Sequence, residues 1–319
     1  MLKAVILRLV SSVGVFLIIA VGLFTLVRMA PGDPVDMMVP PDVGGADREA
    51  YVEGLRARLG LDQPILVQFF RWFGDLLQGN LGYSYANGQP VGQLLADRLG
   101  PTLLLMGSAL LLGVLIAIPL GVIAAVRRNR VADYTITSVS VLAIAAPSFF
   151  LAMLAIYVFS VKLRLLPSSG MHSTGQSGFI DLLTHMILPV GILALAVAAP
   201  FIRYVRNGML EELGKDYIRA VTAKGAGQLL VVGHALRNSM ISLITVLALY
   251  LPTFLAGAVV MEQVFAWPGM GQLAIAALTT RDYPVIIGFG LYVAVLVLLC
   301  NLIADLLYTV VDPRVRTAR

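Results

Sequence analysis

The sequence predicts an all-α integral membrane protein of six transmembrane helices, on three observations. Of the 319 residues, 59% are hydrophobic and only 13% charged, whereas soluble domains carry roughly a quarter charged residues. The apolar residues gather into six long runs free of Asp, Glu, Lys and Arg. The basic residues that flank these runs are distributed unevenly between alternate loops.

The runs cover residues 9–27, 99–126, 134–161, 182–202, 238–261 and 283–304. Each reaches the roughly 17–25 residues that carry a helix across about 30 Å of hydrocarbon. They are helices because the bilayer core offers no water to backbone groups, and none shows the alternation of a barrel strand. The first run follows Lys3 and Arg8 and is long for a signal sequence. Val27-Arg28-Met29-Ala30 after it lacks a small-residue cleavage pattern, so it is expected to stay as an uncleaved signal anchor. Three regions result: an anchor span at 1–28, an extracytoplasmic cap loop at 29–98 and a five-helix core at 99–319.

Orientation follows from Lys and Arg. The N-terminal segment, residues 127–133, residues 203–237 and the C-terminal segment together hold 14, against 3 in the short loops on the opposite side. The long loop holds 6, but long loops cross regardless of charge. Both termini are therefore expected in the cytosol. The net charge of +5 is explained by topology, with no call for nucleic acid. Cys300 is the single cysteine and is read as a small core hydrophobe.

The cap loop opens with Pro31-Gly32-Asp33-Pro34 and continues through Pro40-Pro41 and Gly44-Gly45, which interrupts any helix. Residues 47–59 then place Tyr51, Leu55 and Leu59 four apart among charges, a short amphipathic helix. Residues 67–77 carry Phe69, Phe70, Trp72, Phe73, Leu76 and Leu77, which suits the membrane surface or the flank of a span. On the same side, residues 262–283 contain an apolar stretch at 273–278 too short to cross, with Trp267 suited to the interface.

The longest charged segment on the inner side is 203–237. Glu211 and Lys215 form an i,i+4 pair, and Ile218, Val221, Gly225, Leu229, Val232 and Leu236 recur at helical spacing. Gly225 and Gly227 interrupt the run, giving two short helices that meet at an elbow. Two readings fit this element: a docking knob for a soluble partner, or an amphipathic connector of the bundle.

Several chemistries lack their residues. The four lysines are followed by Ala4, Leu163, Asp216 and Gly225, so no phosphate-binding Gly-x-x-x-x-Gly-Lys-Ser/Thr loop exists. His172, His185 and His234 are isolated and none precedes Glu, so neither a metal site nor a catalytic one is expected. Deep within the runs there is no charged residue of the kind an ion-coupled secondary transporter uses, which weakens that alternative. Pro119, Pro147, Pro189, Pro200 and Pro252 fall inside runs, where they kink helices or serve packing. Tyr250, Thr253 and Asn301 are candidates to line a pathway or to bond between helices.

Tyr217-Ile218-Arg219-Ala220-Val221-Thr222-Ala223-Lys224-Gly225, followed by His234-Ala235-Leu236-Arg237-Asn238, resembles the coupling loop of binding-protein-dependent ABC importer permeases of the dipeptide, oligopeptide and nickel branch. The resemblance extends to Pro31-Gly32-Asp33-Pro34, to residues 262–271, to Arg281-Asp282-Tyr283-Pro284 and to Asp312-Pro313-Arg314. It implies a permease subunit of the bacterial or archaeal cell membrane, with the ABC importer permease fold. The implied partners are a second homologous permease, two ATP-binding subunits and an extracytoplasmic substrate-binding protein. ATP and Mg would be bound by those subunits, with no cofactor in this chain. Tyr217, Arg219, Ala220, Val221, Ala223, Lys224, Gly225, His234, Arg237 and Asn238 would then meet the ATPase. Glu262, Phe265, Trp267, Pro268, Gly269, Arg281 and Asp282 would belong to an outer docking surface. The broader superfamily pattern has Glu-Ala-Ala and then Gly; here Arg219, Ala220, Val221 and Gly225 stand at those positions.

Overall fold

The computed structural model describes residues 2–29, 39, 44–59, 62–175 and 178–311. Pro31-Gly32-Asp33-Pro34 and Asp312-Pro313-Arg314 lie outside the described residues, as does the side chain of Thr253. The described residues form helices α1 (Leu2–Met29), α2 (Ala46–Leu59), α3 (Ile65–Leu77), α4 (Val91–Val126), α5 (Val131–Ala145), α6 (Ser148–Ala155), α7 (Phe179–Leu213), α8 (Asp216–Ala223), α9 (Gln228–Val264), α10 (Met270–Thr280) and α11 (Tyr283–Val311), with a π-helical turn Ile156–Lys162 after α6. Two compact units divide the chain: residues 100–272 with 297–319, and residues 2–99 with 273–296.

Among the described residues, four helices, α1, α4, α7 and α11, are long and apolar enough to cross a bilayer. The run at 134–161 differs from the expected single helix. It breaks between α5 and α6 with a 99° bend, and counts as a fifth span only when the two pieces are taken together. Pro147 is the cause. It lacks the N–H that would continue α5, and its ring forces the preceding residue out of the helical region. Ala146 accordingly sits at φ −81°, ψ 129°. The run at 238–261 lies within the uninterrupted α9.

Several helices overrun the expected spans, α7 and α9 most of all. α7 continues eleven residues past Ile202, and α9 begins ten residues before Asn238. A helix rises about 1.5 Å per residue, so these extensions lift the loop between α7 and α9 roughly 15 Å beyond the apolar runs. In the 100–272 unit, α7 is the central helix and packs against α5, α6 and α9. Its buried Leu193, Val197, Phe201, Val205 and Met209 recur at helical spacing and form the middle of the core. α4 approaches α7 closely because it offers glycines. A Cβ built at Gly113 would lie 2.7 Å from Val197 Cβ, and one at Gly121 would lie 2.6 Å from Val205 Cβ. Small residues at matched positions let membrane helices touch along their backbones.

One ion pair ties the start of α5 to α7. Arg206 donates from Nε and a terminal nitrogen to both oxygens of the buried Asp133, at 2.6 and 2.7 Å. The Asn129 N–H, from a residue at φ 59°, and the Thr137 hydroxyl complete the carboxylate's partners. His185, buried near the start of α7, donates from Nδ1 to the Asp181 carbonyl at 2.8 Å, a structural role. His172 lies against the Asp181 carboxylate at 3.2 Å.

Candidate functional site: the α7–α9 loop and its bracing

The loop between α7 and α9 is built as a braced turn. α8 ends in a left-handed glycine cap: Gly225 has φ +85°, its N–H donates to the Thr222 carbonyl, and the Ala226 N–H reaches back to the Val221 carbonyl. This pair of bonds is the Schellman arrangement, which satisfies the last carbonyls of a helix and favours glycine at the left-handed position. Only α8 is a separate short helix. The second arm of the expected elbow is the head of α9, which starts at Gln228.

Tyr217 braces the turn from three elements. Its hydroxyl donates to Glu212 on α7 at 2.7 Å and accepts from Asn238 Nδ2 on α9 at 2.8 Å. Burial and then the Glu212 carboxylate raise the Tyr217 pKa, so the phenol keeps its proton and its donor. Lys215 pairs with Glu212, a hydrogen bond that raises the lysine pKa. Ile218 is the buried residue of α8 and anchors its inner face to the core. Tyr217 and Asn238, singled out as partner-facing, thus act together within the chain. Glu212, the acceptor that joins them to α7, carries no sequence signal of its own beyond proximity to Lys215.

What the turn presents outward mixes small and apolar residues with basic ones. Arg219, Ala220, Ala223, Lys224 and Gly225 are exposed, as are His234 and Arg237, while Val221 is half-buried. Arg219 is within 3.4 Å of Asp216. Leu229 is 89% exposed and Leu230 is 55% exposed. The periodicity put Leu229 on one face with Ile218. The Gly225 turn resets the helical phase, so Leu229 points away and Ala235 takes the buried position on α9.

The segment after α9 contains the other group of expected residues, and most of them are interior. Glu262 and Trp267 are 1% and 0% exposed, and Phe265, Gly269 and Asp282 are buried too; Pro268 is half-buried and Arg281 exposed. These five are interior in this chain, and Trp267 lies in its core. Trp267 donates from Nε1 to the Pro101 carbonyl at 2.9 Å. Glu262 accepts from the Thr102 hydroxyl at 2.6 Å and from the Gly271 N–H at 2.6 Å, and the Met270 N–H donates to Thr102 Oγ1. The carboxylate thus caps the N-terminus of α10, where unpaired N–H groups favour negative charge. The same packing explains the glycines, because a Cβ at Gly269 or Gly271 would strike Glu262 or Val259.

In the other unit, Asp282 accepts from the Ser84 hydroxyl and from the Tyr85 N–H, fixing the turn that precedes α4. Of the pathway candidates, Tyr250 stacks edge-on against Phe201 with ring centres 5.5 Å apart, and its hydroxyl is 3.4 Å from the Ala196 carbonyl. Asn301 is exposed on α11.

Comparison with known proteins agrees with this architecture. Residues 117–317 match the family described as the binding-protein-dependent transport system inner membrane component, and residues 1–106 match the N-terminal region described for the same membrane components. The oligopeptide transport system permease protein AppB of Bacillus subtilis is 40% identical, with 97% of each chain covered. The dipeptide transport system permease protein DppB of Escherichia coli is 38% identical, with 99% of each covered. Among solved structures, a chain of the inward-facing MetNI methionine ABC transporter aligns with a TM-score of 0.54 at 20% identity, covering 69% of this chain and 97% of that one, a likeness of fold. The chain belongs to the family of inner membrane components of binding-protein-dependent transport systems.

Proposed function

We propose that this chain is one membrane-spanning half of an ATP-driven importer for peptides, with six spans, both termini in the cytosol, and the α8–Gly225 turn seated in a cytosolic ATPase subunit. The observation that carries the coupling role is the turn itself: a small, apolar, exposed surface at Ala220, Ala223, Gly225, Leu229 and Leu230, held rigid by the Glu212–Tyr217–Asn238 bonds. Exposed apolar side chains beyond the end of a membrane bundle call for a protein partner. A rigid turn transmits a partner's displacement into α7 and α9, the helices at the centre of the core, whereas a loose one absorbs it. Access alternates as the ATPase favours one arrangement of the turn over another, a population shift driven by differential contact.

The partners in this reading are a second permease, two ATP-binding subunits and an extracytoplasmic binding protein that delivers the peptide. The peptide assignment rests on the names of the full-length relatives. The test is reconstitution. The purified assembly should contain the ATP-binding subunits and take up labelled di- or oligopeptide only with ATP and binding protein present. Uptake driven by an ion gradient without an ATPase subunit would establish the secondary-transporter reading instead.

A further inference from the structure

In the unit formed by residues 2–99 and 273–296, α3 is amphipathic and half-covered. Phe69 and Trp72 pack on Phe24 of α1, with ring centres 5.4 and 5.5 Å apart. Leu66, Phe70 and Leu77, spaced four and seven residues apart, form a second apolar stripe that is 71%, 68% and 73% exposed. Arg71, Asp75 and Gln68 occupy the opposite edge of the helix. Beside this stripe lies a groove of about 330 Å³, lined by Phe16, Leu76, Leu81, Leu95, Ala96 and Leu291 among others, whose surface is almost wholly apolar.

The level of α3 along α1 identifies what covers the stripe. Phe24 precedes Arg28, near the end of α1, by four residues, a depth of about 6 Å along the helix. Arg28 folds back over the Phe24 ring at 5.4 Å, as a basic residue does when its span ends at the headgroups. A helix whose apolar face sinks roughly 5–10 Å below the headgroups lies at the boundary between headgroups and acyl chains. The groove continues from Leu76 toward Phe16, which is eight residues or about 12 Å deeper along α1. A groove of this volume and almost wholly apolar lining suits an extended hydrocarbon chain.

We propose that α3 is embedded in the leaflet at the Arg28 end of α1 and that the groove beneath it holds one acyl chain of a phospholipid. The inference rests on α1 crossing the bilayer, and on no other part of the reading above. The test uses the full-length chain with its copurified subunits, in vesicles of phosphatidylethanolamine and phosphatidylglycerol, on a Cys300→Ala background. Nitroxides placed by Leu66→Cys and Phe70→Cys should sit roughly 5–10 Å below the phosphates, and one at Asp75→Cys should sit in water. A phosphatidylcholine carrying a photoreactive diazirine in its acyl chain should form adducts on Leu81 and Leu95. The groove-filling Ala96→Phe should abolish those adducts and leave adducts on Ile18 of α1 unchanged. Labels at 66 and 70 that stay in water, or that leave water only when the binding protein is added, overturn the proposal. So do adducts confined to Ile18. A label at Ile18→Cys found in water overturns the spanning of α1 itself, which separates that failure from this one.

Discussion

Replacing Gly225 separates the geometry of the inner turn from its fit to a partner. Gly225 sits at φ +85°, and a Cβ built there meets nothing within 4 Å in this chain. The intramolecular cost of Gly225→Ala is therefore backbone strain alone, about 1–2 kcal/mol for an L-residue in the left-handed region. That lowers the population of the formed turn by a factor of about 5–30. Gly225→Asn has the same open space and a residue that visits this region readily, so its cost is smaller. Gly225→Leu adds bulk that only a partner can meet. In reconstituted complexes, substrate-stimulated ATP hydrolysis and peptide uptake should fall in the order Asn, Ala, Leu, with insertion of the spans intact. A Leu defect far beyond that of Ala assigns the effect to a cleft in the ATPase. Equal defects in Ala and Leu assign it to the turn. Normal uptake by a correctly assembled Gly225→Leu complex refutes the coupling role and leaves the loop a connector.

Four further outcomes are expected. Gly121→Leu should destabilise the purified chain by about 1–3 kcal/mol or more because α7 cannot yield at Val205, whereas Gly107→Ala, in open space on the same helix, should leave thermal unfolding nearly unchanged. Asp133→Ala leaves the part-exposed Arg206 guanidinium without its carboxylate and should cost about 2–3 kcal/mol in unfolding assays, while the double change Asp133→Leu with Arg206→Met should recover most of that loss. Tyr217→Phe removes both bonds that brace α8, worth about 1–3 kcal/mol together, and should raise amide exchange across residues 216–226 without altering the exchange of α4. Cysteines introduced at Gln176 and Ala226 should react with impermeant reagents from outside and inside respectively; the reverse pattern would sink the orientation.

The helical class and the positions of five apolar runs were legible because uncharged stretches of this length have few alternatives to helix in a bilayer. The bend after Ala145 was legible only as a proline. Whether Pro147 kinks or breaks its helix depends on whether neighbours re-satisfy the freed backbone groups, which local sequence does not encode. The ends of α7 and α9 were missed because composition marks where hydrocarbon stops, while helix propensity continues through Arg203–Leu213 and Gln228–Arg237. The glycine cap at Gly225 was visible, since a left-handed stop needs glycine. The bracing by Glu212 was not, because a bond between residues on three helices leaves no trace in spacing. Glu262 misled for a related reason: it directly follows an apolar run and reads as exposed, yet its partner Thr102 is 160 positions away.

That separation bears on how the protein is made. Thr102 enters the membrane early, and the carboxylate it serves emerges from the ribosome 160 residues later. At about 5–20 residues per second, the wait is roughly 8–30 s. Throughout it, the Pro101 carbonyl and the Thr102 hydroxyl must be satisfied by water or by neighbouring backbone. When Glu262 and the α10 amides arrive, one carboxylate closes the gap between the beginning and the end of the core at once. A chain lacking Glu262 would leave the Thr102 hydroxyl without this acceptor. The buried carboxylate thus ties the start of the core to a segment made 160 residues later, a bond that can form only once synthesis has reached the head of α10.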